Sequence, residues 1–402
     1  MSVPETRTSP ATAGSRALLL VLAYFAFVSL GLPDTVSGVA WPSIRDTYRL
    51  PQSGQGLLSL GLASGYFLSS FLAGKLTQTM GVGHLLWVSS LLVAAAMFGI
   101  ALSPGWLVII GCAMVWGLGS GAIDGGLNGY VSARFSAKHV NWLHACYSLG
   151  ATLGPLVMTA TLLALGSWRL GYALVGAVIL VMTVAFFSTR QLWEGSHEPA
   201  HADERGAATM LETLQSPLVW LQLMVFVVYC GLESTLVQWT FTLMRESRGV
   251  SAELAGILAS VYVGSIGVGR VGFGAVADWI GVDRLLRLST FTAFLGGLLL
   301  AFGTPREVGF AGLALIGLGL APVFPCLMSR TPQRLGPRLA THAVGFQVSA
   351  AMVGIATLPG AAGLLGQWYG LEWIPRFTAG LAFGLWALHE LLVAKTTVKP
   401  PV

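Results

Sequence analysis

Twelve apolar stretches, each about as long as a bilayer is thick, dominate this 402-residue chain. A helix needs about 20 apolar residues to cross roughly 30 Å of hydrocarbon. Runs of that kind lie at 17–43, 55–76, 83–103, 105–130, 141–165, 169–189, 217–243, 253–276, 284–303, 307–329, 341–366 and 372–394. Composition agrees: 54% of residues are hydrophobic and only 10% charged, with a mean hydropathy of +0.73. A soluble domain of this size needs a charged exterior, and these residues cannot cover one. The fold class predicted is an all-α integral membrane protein with twelve transmembrane helices.

The net charge of +5 is a matter of topology, because most basic residues sit between apolar runs, and no nucleic-acid partner is expected. With the N-terminus placed in the cytoplasm, Lys and Arg divide 15 inside to 7 outside, which predicts that both termini are cytoplasmic. The first sixteen residues are polar and the run after them is too long for a signal-peptide core, so it reads as the first membrane helix. The expected location is the cell membrane, in a bacterium the inner one. Cys112, Cys146, Cys230 and Cys326 fall inside apolar runs and read as packing residues. No metal-ligand spacing, P-loop or dinucleotide fingerprint is present. Neither an enzyme nor a cofactor is expected.

Shifted by 200 residues, the chain falls on itself without gaps. Gly31, Gly56, Gly74, Gly81, Gly117, Gly119, Gly154 and Gly166 meet glycines, Thr35 meets Thr235, Trp168 meets Trp368, and Arg45-Asp46 meets Arg245-Glu246. About three glycine coincidences are expected by chance against eight here, so the match marks a duplication. Six helices per copy is an even number, so the copies share one orientation and are related by an axis along the membrane normal. The predicted domains are a six-helix bundle over 1–190, a polar cytoplasmic linker over 191–216 and a second bundle over 217–402. No feature calls for a second subunit, and a monomer is expected.

Ionisable groups deep in membrane helices cost about 2.5–3.5 kcal/mol each on the insertion scale, so each needs a reason. Three carboxylates qualify: Asp34 in span 1, Asp124 in span 4 and Glu233 in span 7. A carboxyl group in a low-dielectric site can hold a proton and release it when water reaches it, the behaviour that proton coupling requires. The plainer alternative for each is a helix–helix hydrogen bond. Asp34 follows Pro33, expected to bend span 1 and free carbonyls beside the acid. At the 200-residue offset Glu233 overlies Pro33, so the two acids hold nearly equivalent places. Asp124 and Asn128 share one helix face at i, i+4. His144 and Tyr147 in span 5, Gln238 and Trp239 in span 7 and Gln347 in span 11 complete a set of acids, amides and rings. Such a set suits a polyhydroxylated ligand, with polar groups for hydroxyls and rings for C–H faces.

Between spans 8 and 9 lies Gly274-Ala-Val-Ala-Asp278-Trp-Ile-Gly281, preceded by Arg270 and followed by Arg284. The pattern resembles the loop motif of the major facilitator superfamily, and the resemblance implies a gating role for Arg270, Gly274, Asp278 and Gly281. The first-half copy keeps Gly74 and Gly81 but has Gln78 in place of the acid, which implies an asymmetric latch; an ordinary tight turn is the alternative. The acid in span 1, the Asp124-to-Asn128 pair, Asn141-x-x-His144 followed by Gly150-Ala151, and Gly354, Pro359 and Gly363 in span 11 are similar to the fucose permease-type branch of that superfamily. The resemblance implies the major facilitator fold, two parallel-repeat six-helix bundles, and roles in proton coupling and sugar binding for Asp34 and Asp124. Asp in place of Glu at 124, His144 where that branch often has Gln, and the additional Glu233 are departures that leave the particular sugar open.

The resulting expectation is a secondary active transporter, a proton-coupled symporter of a sugar or similar polar metabolite working by alternating access. Its partners are a small-molecule substrate, protons and the lipid bilayer. An efflux antiporter for amphipathic or drug-like compounds is the alternative on the same fold, and a non-transporting receptor on a transporter scaffold is a third reading.

Overall fold

The computed structural model describes residues 13–135, 137–193, 209–303 and 306–396; some side chains within these ranges, those of Asn141 and of 274–278 among them, are outside the described set. Twelve helices among the described residues are long and apolar enough to span a bilayer. They are α1 (Ala13–Tyr48), α2 (Gly54–Met80), α3 (Val82–Ala101), α4 (Trp106–Arg134), α5 (Ala137–Leu165) and α6 (Trp168–Thr189), then α7 (Pro217–Thr242), α8 (Ala252–Ile280) and α9 (Val282–Phe302). The last three are α10, in two segments (Arg306–Leu320 and Val323–Leu335), α11 (Pro337–Tyr369) and α12 (Trp373–Thr396). Helix is the form that lipid imposes, since it satisfies every backbone N–H and C=O within the segment. Most of the linker, 194–208, lies outside the described residues.

One of these helices differs from the sequence reading. The tenth span, expected as one run over 307–329, is interrupted at Ala321-Pro322 and resumes through to Leu335. Pro322 lacks an N–H and its ring opposes the carbonyl one turn back, which accounts for the break. The first helix stays helical through both Pro33 and Pro42. Past Thr242 the chain widens into a π-helical turn, Leu243–Ser247, which carries Arg245 and Glu246.

Packing repeats as the sequence does. In the first six helices α1 lies against α5 and α6, α2 against α4, and α3 against α4 and α6. In the second six, α7 lies against α11 and α12, α8 against α10, and α9 against α10 and α12. Each pair maps onto its counterpart by a shift of six helices. The two bundles meet through α2–α11, α5–α8 and α1–α7, a set that the same exchange returns to itself, as a two-fold relation demands. The turns agree as well: Gly81 and Gly281, 200 residues apart, have φ of 77° and 84°, values that favour glycine.

Polarity is sorted by lipid and not by water. Phe71, Leu107, Val181 and Val268 lie open on the outer surface, which only hydrocarbon makes favourable for so many large apolar groups. Polar side chains collect inside, on the faces of α1, α2, α4, α5, α7 and α8 that point to the centre.

Candidate functional site

Asp34 sits near the middle of α1, and Tyr147 of α5 donates its hydroxyl to Asp34 Oδ2 at 2.7 Å. The two helices can come this close because Gly31, one turn earlier, puts no side chain between α1 and the α5 backbone at Tyr147 and Ala151. On α4, Asp124 accepts the Tyr66 hydroxyl from α2 at 2.7 Å on Oδ2. Its Oδ1 accepts Asn128 Nδ2 at 2.8 Å. His144 is exposed, stands edge-on to Phe27 at 5.7 Å between ring centroids, and lies within electrostatic reach of Asp124 and Arg270.

The second bundle supplies Glu233 from α7. Tyr229, one turn earlier on the same helix, donates to Glu233 Oε2 at 2.5 Å. Arg270 of α8 lies 3.8 Å from Glu233 Oε1, and the Tyr262 hydroxyl donates to the Glu233 carbonyl at 3.2 Å. Arg270 also donates to Ser148 Oγ of α5 across the bundle boundary at 3.4 Å. The groups form one neighbourhood: Asp34 lies within electrostatic reach of Asp124, and Tyr147 within reach of both Glu233 and Arg270.

A shared device runs through the site, since each of the three carboxylates receives a tyrosine hydroxyl. A carboxylate removed from water needs hydrogen-bond donors, and a phenol supplies one without adding a charge. Each acid keeps lone pairs free. The site can therefore accept bonds from hydroxyl groups of a solute, and its acids are chemically able to take up a proton.

Other candidate residues are placed elsewhere. Gln238 accepts from Ser59 of α2 at 2.7 Å, and Trp239 is fully buried with its indole N–H on the Pro359 carbonyl at 2.9 Å. Gln238 thus belongs to the joint between bundles, and Trp239 to the packing of α7 on α11 within the second bundle. Gln347 is fully buried against Gln222 and Thr331, at 2.5 Å and 3.1 Å, in a polar knot within the second bundle and apart from the three acids. Arg270, which precedes the α8–α9 loop motif, faces Glu233 about ten residues before the end of α8. The backbone there stays helical to Ile280, so the arginine points to the centre. Gly281 forms the turn, while the Asp278 side chain and the surroundings of Gly274 lie outside the described set.

Sequence reasoning missed Tyr66, Tyr229 and Ser148. Only Tyr229 carries a local signal, its i, i+4 spacing to Glu233. The remaining contacts between bundles gather toward the C-terminal ends of α1 and α7. There Arg45 pairs with Glu246 at 2.9 Å, Gln52 donates to Glu246 at 3.2 Å, and the Ser53 N–H donates to Gln367 at 3.4 Å.

Known proteins are similar to this chain in sequence and in fold. The chain is similar to the hexuronate transporter of Bacillus subtilis (strain 168), at 21% identity over 73% of this chain and 72% of that protein. Its fold superposes on a bacterial homolog to the human lysosomal transporter Spinster in an inward-facing, occupied conformation, with a TM-score of 0.78 at 12% identity, covering 97% of this chain and all of that one. It superposes equally on a D-xylose-proton symporter, with a TM-score of 0.77 at 14% identity over 94% and 97% of the two chains. Residues 23–356 match the model of the Major Facilitator Superfamily, and with its twelve spanning helices in two parallel-repeat bundles, the chain is a member of that superfamily of transporters.

Proposed function

We propose that this transporter is a proton-coupled symporter that imports a sugar or similar polar metabolite by alternating access. The observation that carries the reading is the set of three tyrosine–carboxylate pairs, Asp34–Tyr147, Asp124–Tyr66 and Glu233–Tyr229, deep in the spanning helices on both sides of the bundle boundary. Acids at that depth have a use when they bind hydroxyls and carry protons. The named relatives support a polar solute: one is a hexuronate transporter and one structural neighbour a D-xylose-proton symporter.

In this reading the moving bodies are 1–190 and 217–402, tied by a cytoplasmic linker over 191–216. Asp34 and Asp124 take the coupling proton, and Asn128, His144, Tyr147 and Glu233 face the solute. Both termini lie in the cytoplasm and the protein works as a monomer in the cell membrane. On that orientation the Arg45–Glu246 and Ser59–Gln238 contacts close the outer side, and the Gly274–Gly281 turn with Asp278 serves the inner gate. Asp278→Ala then shifts cysteine labelling of the cavity toward the inward-open pattern; unchanged labelling leaves the segment a turn.

Proteoliposomes test the whole. Import of a labelled sugar driven by an inwardly directed proton gradient is the expected result, with deoxy analogues about tenfold to a hundredfold weaker because each lost hydroxyl leaves a buried partner unpaired. Affinity that rises with apolar area and ignores hydroxyl loss establishes drug efflux in its place.

A further inference from the structure

Arg270 brings into the membrane interior a charge that cannot be relieved by losing a proton. Its five N–H donors have uncharged partners but no close contact with a carboxylate. Glu233 Oε1 stands 3.8 Å away, well beyond the about 2.7–2.9 Å of a charge-assisted bond, while Glu233 Oε2 is held by Tyr229 at 2.5 Å. The Ser148 contact is long, at 3.4 Å, the Tyr229 hydroxyl is a further hydrogen-bond partner, and Tyr147 lies within electrostatic reach. None of these is the two-pronged fork that a guanidinium makes with a carboxylate. Because Ser148 belongs to the other bundle, the guanidinium faces the space between the bundles. Across that space stand Asp34, Asp124 and Asn128, acceptors and a donor suited to hydroxyls, whose hydrogen bonds come from tyrosines and from one another.

We infer that the cavity takes a solute bearing one carboxylate and several hydroxyls, an acidic sugar, and that Arg270 grips the carboxylate in a bidentate pair, exchanging it for its loose contact with Glu233. The acids of α1 and α4 then receive the hydroxyl end. A neutral sugar leaves the guanidinium without a close carboxylate, so it binds more weakly. This inference rests on the polar-solute reading above and names the class of solute.

The test compares equilibrium binding of D-glucuronate and D-glucose to the purified full-length protein. Wild type is measured beside Arg270→Lys and beside the double variant Glu233→Gln/Arg270→Gln, which removes both charges together and so leaves no lone buried ion. The wild type is expected to prefer glucuronate by at least about tenfold, the worth of one charged hydrogen-bonded pair. Arg270→Lys, which keeps the charge but not the fork, loses most of that preference. The double variant, with a native thermal melt, binds the two sugars alike. Equal or tighter binding of glucose by the wild type, or a preference that survives Arg270→Lys and the double variant, overturns the inference and leaves sugar transport standing. Binding of neither sugar, with affinity for amphipathic cations, overturns both.

Discussion

The two bundles share one scaffold and differ in how they neutralise their acids. In the first, Asp34 and Asp124 are bonded by uncharged donors, Tyr147, Tyr66 and Asn128. In the second, the corresponding acid, Glu233, has both a tyrosine and an arginine. The offset explains the source of the difference: Arg270 falls opposite Ser70 and Glu233 opposite Pro33. The fixed positive charge in α8 is thus present in one copy alone. Duplication supplied two equivalent places, and single residues then gave them different electrostatics. On the proposed reading, the first bundle serves coupling and the second anchoring.

The largest expected effect tests this division directly. Asp124→Asn keeps the shape and one acceptor, with its amide N–H turned to the Tyr66 hydroxyl, but carries no proton. It should abolish concentrative uptake driven by a proton gradient while leaving substrate counterflow intact. The matching change Glu233→Gln should weaken binding and leave gradient-driven uptake of whatever binds. If the two variants lose the same function, the bundles do not divide the work.

A smaller effect comes from the tyrosines. Tyr147→Phe leaves Asp34 without its donor, whereas Tyr229→Phe leaves Glu233 with Arg270 still beside it. An unpaired buried acceptor costs about 1–3 kcal/mol, so the first variant should lower the melting temperature more than the second. Equal effects measured by thermal unfolding in detergent place the Arg270 contact outside Glu233's support.

The joint between the bundles is asymmetric in the same sense. Arg45 reaches across to Glu246 at 2.9 Å, but the copy pair does not mirror it: Asp46 is 71% exposed beside Arg45, and Arg245 donates to the Val250 carbonyl at 3.3 Å. Glu246→Gln should therefore favour opening of that end, by about 1 kcal/mol for a pair that keeps some contact with water, and Asp46→Asn should not. Labelling of an introduced Ser234→Cys by a membrane-impermeant maleimide reads the difference.

The smallest effect lies at the ends of α1 and α7. Arg49 has φ of 52° and its counterpart Gly249 has φ of 65°. A side chain costs about 1–2 kcal/mol in this region, so Arg49→Gly should stabilise the first bundle by up to about 1 kcal/mol once the added chain entropy of glycine is taken off. Gly249→Ala should destabilise the second. Melting temperatures moving in opposite directions sharpen the comparison; a fall in both shows that Arg49 makes contacts that outweigh its strain.

Much of the fold is legible in the amino-acid order because lipid permits few alternatives. Segments of about 20 apolar residues must be helices, and a 200-residue repeat with six of them per copy dictates two bundles of like orientation. That Asp124 and Asn128 share a face is legible for a local reason, the 3.6-residue period of one helix. The break in α10 escapes a hydropathy reading even with Pro322 in plain view, because hydropathy averages over a window and sees no hinge. What only the tertiary structure decided is which residues of different helices meet. Tyr66 with Asp124, Tyr147 with Asp34 and Arg270 with Glu233 join positions 58, 113 and 37 residues apart, and no periodicity reaches between helices. Gln347 and Trp239 show the converse, since a polar or aromatic residue in a membrane helix has the same sequence appearance whether it faces a cavity or a packed neighbour. The direction a helix turns that face is settled by the sum of its contacts with every neighbour, and that sum exists only in the folded chain.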